Sequence, residues 1–100
     1  MPKLRFTNKA VEDLSSIWNY TFDKWSEKQA DTYYSMLIDI CNDIADTPHL
    51  GRLYDRVSND TYGILAGRHI IFYRLHPDNF VEIIRILHCS MDLKDRFEER

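Results

Sequence analysis

The sequence predicts an α+β domain in which a helical hairpin covers one face of an antiparallel-rich sheet. Three observations carry that expectation. Apolar residues recur every three or four positions from Val11 to Ala45 and every second position after Thr61. A turn-rich stretch beginning at Pro48 separates the two periods. Finally, 100 residues with 44% hydrophobic and 29% charged side chains suit a single domain, residues 1–100, built on one core.

Lys3-Leu4-Arg5-Phe6 alternates polar and apolar, the pattern of a short strand. Thr7-Asn8 then offer side chains that accept the orphan amides of a starting helix. Val11, Leu14, Ile17, Trp18, Thr21, Phe22 and Trp25 form one apolar stripe, with Glu12, Asp13, Ser15, Ser16, Asn19 and Asp23 off it. Ser26-Glu27-Lys28-Gln29 reads S-x-x-Q, in which serine and glutamine each satisfy an amide at a new helix start. The second helix runs on Ala30, Tyr33, Tyr34, Leu37, Ile38, Cys41, Ile44 and Ala45 and stops near Thr47, because Pro48 restricts its predecessor and lacks a donor. So short a joint makes the two helices an antiparallel hairpin.

Pro48 to Asp60, rich in turn formers, reads as a loop. Three strands follow as a meander: Tyr62–Ala66, Ile70–Leu75 and Phe80–His88. Strict alternation puts Val81, Ile83 and Leu87 on one side of the last strand and Ile84 and Ile86 on the other, as expected of an interior strand covered on both faces. Asp92 caps a short terminal helix ending near Phe97. The expected order is β-α-α-β-β-β with that short C-terminal helix.

Thirteen Lys and Arg against sixteen Asp and Glu give a net charge of -3 and a pI near 5.7. Autonomous nucleic-acid binders carry a basic domain or face, so unaided DNA or RNA binding is not expected. Cys41 and Cys89 show no metal-finger or C-x-x-C spacing and suit reduced thiols in the cytoplasm. The longest apolar run, Ile70–Tyr73, is too short for a signal peptide or a membrane span, so no membrane association is expected.

Gly51, Gly63 and Gly67 are spaced for no phosphate-cradling loop, and the serines lack a nucleophile elbow. Asp39, Asp43 and Asp46 share a helix face and read as solvated carboxylates rather than ligands for a hard cation, since no loop ligands accompany them. His69, His76 and His88 lack the i+3 or i+4 pairing of zinc ligands, so neither metal nor cofactor is expected. Trp18, Phe22, Trp25, Tyr33 and Tyr34 crowd the hairpin, either as core or as the lining of an exposed groove. Arg52, Arg56, Arg68, Arg74 and Arg85 lie in the sheet half, where they either converge on an anion or form compensated surface pairs.

The run Val81-Glu82-Ile83-Ile84-Arg85-Ile86-Leu87-His88-Cys89-Ser90-Met91-Asp92 resembles the C-terminal signature R-I-L-H-x-x-M-D of ParE toxins, in the RelE/ParE superfamily of bacterial toxin-antitoxin systems. Three further segments look like landmarks of that family in order: Ala10 to Leu14 with Ile17, Trp18 and Tyr20; Trp25-Ser26 with Gln29-Ala30; and Pro48, Gly51 and Arg52 followed by His69 to Tyr73. The resemblance covers essentially the whole chain. It implies a RelE/ParE-like fold, neutralisation by a cognate antitoxin whose C-terminal segment wraps the toxin, a role in plasmid stabilisation, and an inhibitory contact with DNA gyrase that traps cleaved DNA. DNA is then met only indirectly, through the antitoxin or gyrase.

The RelE-like branch of the superfamily instead cleaves messenger RNA on the ribosome. In-line attack of a 2'-hydroxyl needs a base, an acid and cations, and Arg68, Arg85 and His88 are the triplet assignable to those roles by strand position. The acidic balance and the lack of a basic or aromatic cluster after the last strand point away from that branch. His88 then reads as structural. The expectation is a gyrase inhibitor without catalytic residues, whose partner contacts fall on Trp18, Phe22, Trp25, Arg74 and Arg85. The alternatives are a ribosome-dependent mRNA endoribonuclease, partnered by ribosome and mRNA, and a detoxified module retained for its antitoxin.

Overall fold

A computed structural model of the chain describes residues 3–54, 60–77 and 80–89. Its elements are β1 (Lys3–Phe6), α1 (Asn8–Lys24), α2 (Glu27–Asp46), a 3-10 turn (Pro48–Leu50), β2 (Arg52–Leu53), β3 (Tyr62–Ala66), β4 (His69–His76) and β5 (Phe80–His88). The sheet order is β1-β5-β4-β3-β2, with β1 parallel to β5 and every other pair antiparallel. This is the expected α+β architecture, with the parallel first strand placed beside the last. The terminal helix expected from Asp92 to Phe97 lies outside the described residues.

Local chemistry sets the helix ends. Thr7 is the N-cap of α1: its hydroxyl oxygen accepts from the Ala10 amide at 3.0 Å and donates to the Ile84 carbonyl at 2.9 Å. One side chain thus starts the helix and ties it to β5. Ser26 caps α2 by accepting from the Gln29 amide at 3.1 Å, and α2 ends at Asp46, just short of Pro48.

The main core lies between hairpin and sheet. Leu14 and Ile17 of α1 and Leu37, Cys41 and Ile44 of α2 meet Ile71 and Tyr73 of β4 and Val81, Ile83 and Ile86 of β5. On the opposite sheet face Ile70, Phe72, Ile84 and Leu87 form a second buried cluster joined by Tyr54. The interior-strand reading of β5 is correct, but the sides of its C-terminal half are exchanged: Ile86 faces the helices and Leu87 faces away. The cause is a bulge. Phe72 pairs with Arg85 and Tyr73 with Ile83, so Ile84 is an extra residue that resets the alternation.

Two further expectations are corrected. The stretch after Pro48 is not only loop, because Arg52 and Leu53 pair with Gly63 and Tyr62 as a fifth strand. Two residues carry no period to read. The strand is held by Tyr73, whose hydroxyl donates to the Pro48 carbonyl at 2.8 Å and accepts from the Gly51 amide at 2.9 Å. A Cβ at Gly51 would stand 2.6 Å from that oxygen, so only glycine allows the approach. The apolar stripe of α1 is also narrower than its sequence suggests, since Val11, Phe22 and Trp25 are exposed.

Candidate functional site

Three places gather residues with binding or chemical potential. The first is the outer surface of the hairpin. Trp18 and Phe22, one turn apart on α1, stack with ring centroids 5.2 Å apart, and the Trp18 indole Nε1 donates to Asp31 Oδ1 on α2 at 2.9 Å. Phe22 is 46% exposed, Val11 51% and Trp25 71%. The aromatics divide between the two readings: Phe22, Trp25 and Tyr34 are exposed, Trp18 is half-buried, and Tyr33 packs against the main core.

The second is the free edge of β5 beyond β1. The parallel pairing ends at Phe6 opposite Ile83, and the start of α1 covers the edge from there. Asp13 accepts from Arg85 Nε at 2.8 Å and Nη2 at 3.0 Å, and from the Ile86 amide at 3.0 Å. The side chains of Arg85 and Asp13 are only 11% and 14% exposed. A bidentate, largely desolvated pair thus replaces a strand neighbour, and it commits Arg85 to an internal partner. Asp13 escaped the sequence reading because it sits off the apolar stripe of α1 among other polar residues.

The third lies at the far end of the sheet, where His69 and His88 are cross-strand partners with ring centroids 5.3 Å apart. The Tyr33 hydroxyl is 2.7 Å from His69 Nδ1 and accepts from the Arg68 amide at 2.9 Å. Gly67 makes this possible: its φ is +61°, and a Cβ there would lie 2.7 Å from the Tyr33 oxygen. Burial, reinforced by repulsion from His88 and opposed by Asp13, lowers the His69 pKa to about 4, so the ring is neutral at physiological pH. Burial also raises the Tyr33 pKa, against the lowering effect of the Arg68 contacts. The sequence weighed Tyr33 only as core or groove lining and His69 only as a zinc ligand; a contact between residues 36 apart leaves no spacing that would join them.

The seven residues singled out from sequence therefore divide. Arg68 and His88 share the sheet end, where the Cys89 amide donates to the Arg68 carbonyl at 3.0 Å. Arg85 does not join them: by alternation it leaves β5 on the Leu87 side and His88 on the Ile86 side. Arg74 pairs in register with Glu82, which in turn pairs with Arg5. That row lies on the sheet face turned from the hairpin, so Arg74 and Trp18, Phe22 and Trp25 do not form one patch. Arg56 lies outside the described residues. A shallow groove of about 350 Å³ beside β2 is lined by Leu50, Arg52, Tyr54 and Leu65 among others. Among the described residues no group of three or more His, Cys, Asp and Glu is placed to hold a metal ion, and no helix is long and apolar enough to cross a membrane.

Comparison with known proteins places this geometry. A family profile described as the ParE toxin of type II toxin-antitoxin system, parDE, matches residues 4–93. Toxin ParE1 of Caulobacter vibrioides is 33% identical over 94 residues, covering 94% of this chain and 96% of the relative. Among solved structures, the chromosomal ParDE toxin-antitoxin system from P. aeruginosa superposes with a TM-score of 0.76 at 16% identity, over 88% of this chain and 96% of that one. The toxin-antitoxin complex RelBE2 from Mycobacterium tuberculosis gives 0.66 at 21% identity, over 88% and 99%.

Proposed function

The chain belongs to the ParE toxin family of type II toxin-antitoxin systems, and from that premise we propose that it inhibits DNA gyrase in the bacterial cytoplasm by occupying a surface of the enzyme. A cognate antitoxin holds it in check. The observation that carries this reading is the disposition of the ionisable residues. Of Arg68, Arg85 and His88, the triplet that phosphodiester cleavage would need together, Arg85 is bound to Asp13 and leaves the opposite face of β5 from His88. The hairpin meanwhile offers large apolar side chains to a protein partner.

One observation favours the second reading, a ribosome-dependent mRNA endoribonuclease. Arg68 and His88 do share one end of the sheet, backed by His69 and Tyr33. The two readings part in two assays. Purified toxin added to gyrase and relaxed plasmid is expected to block supercoiling and accumulate cleaved DNA, and the cognate antitoxin to restore winding. In a translation extract analysed by primer extension, the same toxin is expected to leave transcripts intact. Site-specific cuts that vanish with His88→Ala, with supercoiling unaffected, would replace gyrase by the ribosome as its target.

A further inference from the structure

The sheet lacks a neighbour along part of β3. The Thr61 carbonyl accepts from the Tyr54 amide at 2.7 Å, and Gly63 pairs with Arg52. Alternation then makes Leu65 the next residue whose amide and carbonyl point away from β4. β2 stops short of it, because Arg52 and Leu53 reach only Gly63 and Tyr62. The chain before β2 turns off this edge: the Tyr73 hydroxyl, reaching out from the main core, holds the Pro48 carbonyl at 2.8 Å and the Gly51 amide at 2.9 Å. At the opposite margin of the sheet Asp13 closes a comparable gap by accepting from the Ile86 amide. Among the described residues no side chain does the same for Leu65.

The groove of about 350 Å³ lies beside this gap, and Leu50, Tyr54, Leu65 and Ile70 give it an apolar lining. Leu65 is 66% exposed, and Leu50 across the groove is exposed as well. Natural sheets blunt an open edge with charge, proline or a covering segment; here the open edge carries leucines. The charges that flank it are of one sign. Arg52, opposite Gly63, lines the groove, and Arg68 sits in the turn just beyond β3; both are exposed. The exposed carboxylate of Asp60 belongs to the far end of β3, before Thr61. On a chain of net charge -3, an apolar groove between two arginines beside unpaired strand backbone matches one kind of occupant.

We propose that the free edge of β3 at Leu65 takes an extended segment of a partner protein by strand addition, with an apolar residue opposite Leu65 and an acidic residue at the second position on each side. The central residue exchanges two backbone hydrogen bonds with Leu65. Because paired residues share a face, its side chain enters the groove. The second residue on either side lies on that same face, about 7 Å along the strand, where one acidic side chain reaches Arg52 and the other Arg68. Backbone pairing supplies affinity and the alternate side chains supply selectivity. The inference rests on this edge alone and is independent of the cellular target.

The test uses the full chain and three labelled synthetic peptides of about nine residues. The first carries Glu-Thr-Leu-Thr-Glu at its centre, the second replaces both glutamates by lysine, and the third is the first with the leucine amide N-methylated. Fluorescence anisotropy should show the first binding at least about tenfold tighter than the second. The N-methyl group removes one backbone hydrogen bond and should weaken binding by about tenfold. Hydrogen exchange followed by NMR should show the Leu65 amide slowed by the first peptide and unaffected by the third. Arg52→Glu/Arg68→Glu, its fold verified by circular dichroism, should reverse the charge preference. Equal or tighter binding of the lysine peptide, indifference to N-methylation, or a Leu65 amide whose exchange the first peptide leaves unchanged would overturn the proposal. So would a dimer in sedimentation that Leu65→Arg dissociates, which would make a second copy the occupant.

Discussion

Replacing Asp13 by alanine tests how far the fold depends on the carboxylate that closes the β5 edge. Asp13 accepts three hydrogen bonds, two from Arg85 and one from the Ile86 amide, at 2.8 to 3.0 Å. Removing it leaves a guanidinium whose side chain is 11% exposed without its carboxylate, and a strand amide without an acceptor. Breaking a buried pair from one side costs about 3–5 kcal/mol. For a domain of this size that lowers Tm by about 12 °C or more. Equilibrium urea unfolding followed by circular dichroism at pH 7 reads the loss directly.

A cycle then isolates the pair. Arg85→Met with Asp13→Leu removes both charges and keeps much of the volume, so the residual penalty is mainly the orphaned Ile86 amide, about 1–3 kcal/mol. The double variant should therefore be clearly more stable than the sum of the single losses. Asp13→Ala within about 1 kcal/mol of the parent, or a double variant as unstable as the summed singles, would refute the reasoning and release Arg85 for a role outside the fold.

Three further outcomes are expected. Gly67→Ala should cost about 1–2 kcal/mol from its φ of +61° alone, with displacement of Tyr33 visible as loss of NMR contacts between its ring and His69; an unchanged melting curve would contradict it. Stability should decline as pH falls from about 6.5 to about 4, because the unfolded chain protonates His69 first while the folded ring resists until about 4. It should be complete above 6.5. The pKa gap corresponds to roughly 3 kcal/mol, and solvent screening of the partly exposed ring reduces it to about 1–2 kcal/mol. The His69→Phe variant should lose this component of the slope in urea titrations. Finally, native protein should expose one rapidly reacting thiol: Cys89 is exposed, whereas burial raises the Cys41 pKa to about 12. Two equivalents reacting quickly with Ellman's reagent before denaturant is added would show the core to be open.

What the sequence made legible was whatever depends on near neighbours. Ser26 and Gln29 announce the start of α2 because the cap is a bond between residues three apart, and Pro48 announces its end by local sterics. The faces of the hairpin were half legible. Leu14 and Ile17 are core as expected, but periodicity cannot tell a wide core stripe from a narrow one with an exposed flank, and Val11 and Phe22 fell on the flank. The β5 bulge was illegible for a related reason: Ile83, Ile84 and Ile86 are all apolar, so a shift of register leaves no mark on the polar pattern. Asp13 and Tyr33 act across separations of 72 and 33 residues or more. At such distances neither spacing nor propensity carries a signal.

That division bears on the choice of target. The frame of helical hairpin and sheet is shared with both a ParDE and a RelBE assembly, so the frame cannot distinguish gyrase inhibition from RNA cleavage. The distinction must lie in the few side chains that long-range contacts recruit or withhold. Here Asp13 decides the state of Arg85. With the carboxylate present the guanidinium is neutralised and its planar fork saturated on one side, a poor state from which to stabilise the charge of a phosphorane. His69, neutral at physiological pH, adds no cation at the other end of the sheet. The proposed inhibition of gyrase asks only for a surface, and the hairpin supplies one with exposed Val11, Phe22 and Trp25.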